Sequence, residues 1–301
     1  MRARAPASAA NLGPGLDVLA LALDRYVEVE VEEAESLVVG SEGEGAGLWD
    51  GPDHLAVRVA AGVVGHDRLR VTVRSDVPVA RGLGSSAAIA AAAAAAAGAP
   101  DPLGVAARVD GHPDNAAAAV RGGLVAVTGA GGSWTVSSLP LDPDLSVVAL
   151  VPDRTLPTAL AREALPEQVS REDATFNLGR LALLLSGLSD HRALVREATE
   201  DRLHQPYRTT LFPEAPSLLS ALVDGGSLAA CWSGAGPTML GICSRGRAGD
   251  VAEAARAAMA HASVPGDVVV LRPDLEGLVT GPGATLPDRR APSNNGGGGG
   301  A

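Results

Sequence analysis

Gly82-Leu83-Gly84-Ser85-Ser86-Ala87 joins two conformationally free residues, two hydroxyls and the start of an alanine run that reaches Ala97. Glycine allows a tight backbone approach and alanine is the strongest helix former, so a loop that delivers the chain into a helix is predicted here. Ser85 or Ser86 is expected at its N-cap, leaving N–H groups pointing outward beside the positive end of the helix dipole. That arrangement holds anions, phosphate above all. Two other readings compete. One is a plain capped turn between strand and helix. The other is a dinucleotide fingerprint, because the stretch also fits G-x-G-x-x-A. Against the latter, Leu69, Val71 and Val73 alternate with Arg70, Thr72 and Arg74, whereas the first strand of a dinucleotide-binding fold reads as continuous apolar sequence. No strand ending in an acidic residue follows at about 20 residues.

The chain has no lysine, so all 24 of its basic residues are arginine. This removes the P-loop, the protein kinases and Schiff-base chemistry, each of which needs a lysine at a set place. A formal charge of −11 with no basic stripe argues against a nucleic-acid partner. Apolar runs such as Leu145–Val151 and Leu178–Leu188 are too short or too broken to span a bilayer, and Met1–Pro6 leads into no apolar signal segment. A cytoplasmic protein without a membrane partner is therefore expected. Cys231 and Cys243 flank a glycine turn and fit no metal spacing, which predicts two buried strand thiols.

The elements that must position the glycine loop are legible in outline. At 301 residues there is enough chain for one large domain or two modest ones. Strands are predicted at Arg2–Ala7, at Val27–Glu32, where valine alternates with glutamate and a half-exposed face follows, and at Leu69–Arg74. Glu42–Asp53 reads as a surface loop and His54–Val64 as a helix. After the alanine helix come short helices at Asp101–Val109 and Ala116–Val120, then strands at Leu124–Thr128 and Val147–Val151. Pro152–Pro157 would suit a hinge. Helices near Ala174–Leu188, His191–Leu203 and Pro216–Val223, strands at Leu228–Trp232 and Met239–Cys243, a helix at Asp250–Ala262 and a strand at Val268–Leu271 complete the pattern. Strands alternating on one face among helices and hairpins indicate α+β layers.

The loops Pro6–Asp17, Pro78–Ala88 and Ser233–Thr238 come in the order and spacing of the three motifs of the GHMP kinase superfamily, which the chain resembles from about Arg2 to Arg272. Gly111-His112-Pro113-Asp114-Asn115, Thr158 with Arg162, Phe176-Asn177-Leu178-Gly179-Arg180 and Asp201-Arg202-Leu203-His204-Gln205-Pro206-Tyr207-Arg208 narrow the resemblance to the homoserine kinases. The resemblance implies an α+β, two-domain GHMP fold. An N-terminal ribosomal-protein-S5-like β-α-β domain that binds ATP would cover 1–151, a C-terminal ferredoxin-like α/β sandwich 152–281, and a flexible tail 282–301. It implies transfer of a phosphoryl group from ATP to the hydroxyl of L-homoserine, with Mg²⁺, for threonine biosynthesis. A homodimer is carried as an expectation.

The resemblance also implies roles. Pro78, Arg81, Gly82, Leu83, Gly84, Ser85, Ser86 and Ala87 would hold ATP, and Ser86 and Asp110 the metal. Asn11, Asp17, His112, Asp114, Asn115, Thr158, Arg162, Arg208 and Gly234 would line the amino acid, with Asp17 on its ammonium and the two arginines on its carboxylate. Asp110, Asn115 and Arg162 would serve catalysis, and His204 and Gln205 would shape the loop that holds Arg208. His112 reads as a hydrogen-bonded loop residue ahead of a general base. Two departures stand out: Asp110 occupies the place of the family's metal-binding glutamate, one methylene shorter, and Leu16 that of a phenylalanine. Two alternatives remain open: another small-alcohol kinase, acting for instance on threonine, and a catalytically silent nucleotide-binding paralogue.

Overall fold

The valine–glutamate alternation belongs to the second half of a longer strand. In the computed structural model, which describes residues 1–48, 51–130 and 133–287, β1 (Arg2–Ala10) pairs antiparallel with β2 (Leu19–Glu33), with a register shift between Pro6 and Ala7. β3 (Val38–Gly43), helix α1 (Leu55–Val64) and β4 (Leu69–Ser75) follow, with β4 antiparallel to the far half of β2 and parallel to β3. The glutamate face of β2 is less open than its alternation suggests. Glu28 is buried beneath Arg2 Nε at 3.4 Å and Arg74 NH1 at 2.8 Å.

Next come α2 (Ser85–Ala96), α3 (Pro102–Asp110), α4 (Pro113–Arg121), β5 (Leu124–Ala130) and β6 (Ser133–Leu139). β5 pairs with the near half of β2, so the first sheet has a main path, completed by the late strand β11 (Val279–Thr280), of β11-β1-β2-β4-β3 and a branch through β5 and β6. α2 lies on β1 and β2, flanked by α1, α3 and α4. All of its residues but Ser86 are buried. Methyl side chains are what let a helix sit that close to a sheet and three other helices at once.

β7 (Leu145–Pro152) is fully buried. Leu145, Val147, Ala149 and Val151 join the core of the first sheet, whereas Val148 and Leu150 face a second core. Its partners come later in the chain. After α5 (Thr158–Glu163), α6 (Arg171–Ser189), α7 (Gln205–Arg208) and α8 (Ala215–Asp224), β8 (Ala229–Trp232), β9 (Met239–Ser244), helix α9 (Ala248–His261) and β10 (Gly266–Leu271) complete an antiparallel sheet of order β10-β7-β9-β8. α8 and α9 cover one face of it, and α6 lies on the side shared with the first sheet. The boundary expected at 151 therefore falls inside β7, a strand of the second sheet. The expected tail lies outside the described residues from 288 onward.

The α+β reading holds, with two local corrections. His191–Leu203, expected as one helix, is two 3-10 turns, His191–Ala193 and Arg196–Thr199, followed by an irregular strap. Side chains compete there for the backbone donors: Asp190 accepts from Arg192 N, and Asp201 accepts from Leu203, His204 and Gln205 N at 2.7–2.9 Å. The second correction concerns α2. Its N-cap is Gly84, at φ 65°, and neither serine caps it; Ser85 and Ser86 are its first two residues. Both cysteines are buried as expected. Among the described residues no helix is long and apolar enough to cross a membrane.

Candidate active site

Three loops meet where β1, the entry to α2 and the β8–β9 turn converge. The central loop ends in left-handed backbone at Ala80, Gly82 and Gly84. A Cβ on Gly84 would stand 2.0 Å from Ser8 Oγ, and one on Gly82 2.2 Å from the Ser233 carbonyl, so both contacts require glycine. Ser8 N donates to the Leu83 carbonyl at 3.1 Å, Ser233 Oγ to the Gly82 carbonyl at 2.6 Å, and Gly234 N to the Ala10 carbonyl at 2.8 Å. The loop is thus tied from both sides before any ligand is considered.

Around it opens a cavity of about 400 Å³. Its wall includes Asn11, Pro78, Arg81, Gly82, Leu83, Gly84, Ser85, Ser86, Asp110, His112, Asn115, Thr158, Arg162, Arg208 and Gly234, all singled out from sequence. Three others stand back from it. Ala87 is packed inside α2, Asp114 is buried in the first turn of α4, and Asp17 reaches the site through Arg162. Several wall residues were not foreseen: Asp53, His54, Leu55 and Arg58 at the start of α1, with Ile89 and Leu156. The helix at His54 was legible, but nothing in its spacing placed it beside the central loop. Ser8 was also missed; its hydroxyl donates to Asn115 Oδ1 at 2.8 Å and so fixes the amide.

Charge is arranged in two groups. At the end beside the Gly82–Ala87 loop, burial pushes the Asp110 pKa up, opposed by the neighbouring Ser86 hydroxyl and by His112. Ser85 Oγ is buried on the wall without a partner. Burial likewise raises Asp114. At the other end, Arg162 of α5 forks onto Asp17, NH1 to Oδ2 at 3.0 Å and NH2 to Oδ1 at 2.6 Å, with His112 Nδ1 3.4 Å from NH2. Asp17 sits in left-handed backbone, its N–H held by Asn11 Oδ1 at 2.8 Å. Arg208 is 2% exposed, and burial pulls its pKa down to about 10. Its NH1 donates to the Gly234 carbonyl at 2.7 Å and to His204 Nδ1 at 2.9 Å, while its Nε is buried and unpartnered.

Gln205 bridges the strap and β8, its Nε2 donating to the Thr199 carbonyl at 2.9 Å and its Oε1 accepting from Trp232 N at 3.0 Å. Burial lifts the thiols to about 12 at Cys231 and about 11 at Cys243, so neither is a nucleophile here.

Chemically, the arrangement offers hydroxyls and backbone donors for phosphate, two hard oxygen ligands, and a cation–anion pair with a second arginine beside it. Residues 54–123 match the family described as "GHMP kinases N terminal domain", and residues 181–261 match "GHMP kinases C terminal". The chain is 39% identical over 292 residues to a homoserine kinase of Moorella thermoacetica, covering 92% of this chain and 98% of the relative. It is 43% identical over 282 residues to a homoserine kinase of Mycolicibacterium smegmatis, covering 85% and 88%. In fold it resembles the crystal structure of a homoserine kinase from Cytophaga hutchinsonii, with a TM-score of 0.80 at 24% identity over 93% of this chain and 96% of that one. It also resembles a mevalonate kinase from L. major, with a TM-score of 0.68 at 13% identity over 92% and 96%.

Proposed function

The chain belongs to the homoserine kinase family of the GHMP kinases, and on that premise we propose that it transfers the γ-phosphoryl group of ATP to the hydroxyl of L-homoserine within the cavity at the head of α2. The hydroxyl oxygen bonds to the γ-phosphorus, the bond from that phosphorus to the β–γ bridging oxygen breaks, and the hydroxyl proton leaves. ADP and O-phospho-L-homoserine, a precursor for threonine biosynthesis, result. Such a transfer asks mainly for alignment and for positive charge around the phosphates.

What supports this reading is the convergence around one cavity of a lysine-free glycine loop, Ser86 with Asp110, and Arg162, which is paired with Asp17 behind the wall and lies next to Arg208. Pro78 to Ala87, with the N–H groups that open α2, hold the triphosphate, and the unpartnered Ser85 hydroxyl is a donor or acceptor for it. The hydroxyl of Ser86 and the carboxylate of Asp110 fit Mg²⁺, which takes hard oxygen ligands. When bound, the ion would neutralise charge on the β- and γ-phosphate oxygens. Homoserine is a zwitterion and matches the Asp17–Arg162 pair end for end. Its ammonium takes Asp17, its carboxylate takes Arg162 and Arg208, and the internal ion pair is exchanged for a substrate that satisfies both halves. Asn11, His112, Asn115, Thr158 and Gly234 surround it. Asp114 acts from behind the wall, through the first turn of α4.

ATP consumption measured with Mg²⁺ across homoserine, threonine, serine and mevalonate tests the reading. Turnover with homoserine well above the other three is expected. Nucleotide binding without turnover on homoserine would overturn it.

A further inference from the structure

His204 is fully buried, does not line the cavity, and yet makes a hydrogen bond from each ring nitrogen. Its two partners leave the ring one protonation state. A guanidinium can only donate, so Nδ1, which lies 2.9 Å from Arg208 NH1, carries no proton. A carbonyl can only accept, so Nε2, at 2.6 Å from the Gly13 oxygen, carries one. The neutral Nε2–H tautomer is thereby fixed from both sides. Burial and the neighbouring Arg208 charge favour the same neutral form against the opposing pull of Asp201.

The ring is itself anchored. Asp201 receives the His204 and Gln205 N–H groups and the Asn177 side-chain amide, and the same Asn177 accepts Arg202 N. This accounts for the Phe176–Arg180 stretch, whose Asn177 holds the strap. Gly13 lies in the loop that carries Asn11 and Asp17, and its own Cβ position is 2.8 Å from Thr199 Cα, so that loop is seated on the strap as well. One imidazole therefore spans the two parts of the amino-acid site: the loop with the anion and the helix with the buried cation.

We propose that His204 is a positioning residue for the amino-acid substrate, holding the Arg208 guanidinium at a set distance from the Asn11–Asp17 loop through its Nδ1 and Nε2–H bonds without touching substrate. With NH1 held by His204 and the Gly234 carbonyl, the rest of the Arg208 fork, on a side chain that lines the cavity, is left for the carboxylate. The proposal rests on the reading of Arg208 as a carboxylate ligand.

Steady-state kinetics of His204→Phe, His204→Asn, His204→Gln, Arg208→Lys and the double variant His204→Phe/Arg208→Lys test it. Circular dichroism and Tm first establish which variants fold. Asparagine keeps an acceptor where Nδ1 stands, and glutamine keeps a donor nearer Nε2. The expected result is a rise of about tenfold or more in KM for homoserine in the phenylalanine variant, with KM for ATP within about twofold. Asparagine should recover more of the loss than glutamine, and the double variant should be little worse than Arg208→Lys alone. A parallel rise in both KM values, additive effects in the double variant, or no change in the phenylalanine variant would overturn the proposal. Should the phenylalanine variant not fold, the ordering of asparagine and glutamine decides alone. If Arg208→Lys leaves KM for homoserine unchanged, the carboxylate reading fails and the proposal with it. If Arg208→Lys raises KM while the His204 variants do not, only the role of His204 fails.

Discussion

Asp17 and Arg162 meet through two hydrogen bonds although 145 residues separate them. Both side chains are nearly half exposed, so the pair adds little to stability and is readily exchanged. Asp17→Asn should therefore leave Tm almost unchanged while raising KM for homoserine by roughly tenfold to a hundredfold, the scale of a charged hydrogen bond. KM for ATP should hold, and steady-state kinetics with each substrate varied in turn would show the split. Asp110 behaves in the opposite way. Its pKa is raised in the folded chain, so the stability it contributes is full below the ordinary carboxylate pKa and is lost as pH rises through the raised value. At neutral pH its ionised form works against folding. Asp110→Asn should accordingly raise Tm at pH 7, with the gain shrinking on acidification, while activity drops by about a hundredfold. A Tm that falls at pH 7 would contradict the sign. Residues of this kind were legible only through the family motifs that contain them, since nothing else sets them apart among 24 arginines and 35 carboxylates. Ser8 was not, since a small hydroxyl in a strand carries no mark of its own, and Asp53 and Arg58 owe their place to tertiary packing.

At the level of elements, the entry to α2 decides how the site is built. Gly84, not a serine, is the cap: its backbone is left-handed and a Cβ there would stand 2.0 Å from Ser8 Oγ. Gly84→Ala should cost about 1–3 kcal/mol, readable in urea unfolding. It should also weaken ATP binding, measured by calorimetry, because relief of the clash must turn Ser8 Oγ off Asn115 Oδ1 or shift the entry to α2. Amphipathic elements such as β4, α8 and α9 were plain in the sequence. β3 and β6 were not. Each is an edge strand that pairs on one side only and buries almost nothing, so its residues carry little apolar pattern. The strap from His191 to Leu203 misled for a different reason: its helix-forming residues are outbid by Asp190 and Asp201 for the local N–H groups.

On the scale of the whole molecule, the two sheets share one core. Leu145, Val147, Ala149 and Val151 of β7 belong to the same buried cluster as residues of β1, β2, β4, α2 and α6, and β11 returns from the far end of the chain to extend β1. An apolar run such as Leu145–Pro152 announces a buried strand but not which sheet receives it. A single cooperative transition is expected in urea, with far- and near-ultraviolet circular dichroism coincident. Residues 1–144 expressed alone should show no cooperative melt, since the part of the shared cluster supplied by β7, α6 and the second sheet would be missing. An independently melting fragment would count against a shared core.

The methyl groups of α2 have one further consequence. Apart from Ile89, the residues from Ala87 to Ala96 possess no rotamers to lose. The helix beneath the Gly82–Ala87 loop therefore has almost no side-chain freedom to give up when a ligand arrives. Whatever ordering accompanies binding must come from the loops and from α5, and calorimetric entropies of nucleotide binding should respond to changes there and stay insensitive to the helix below.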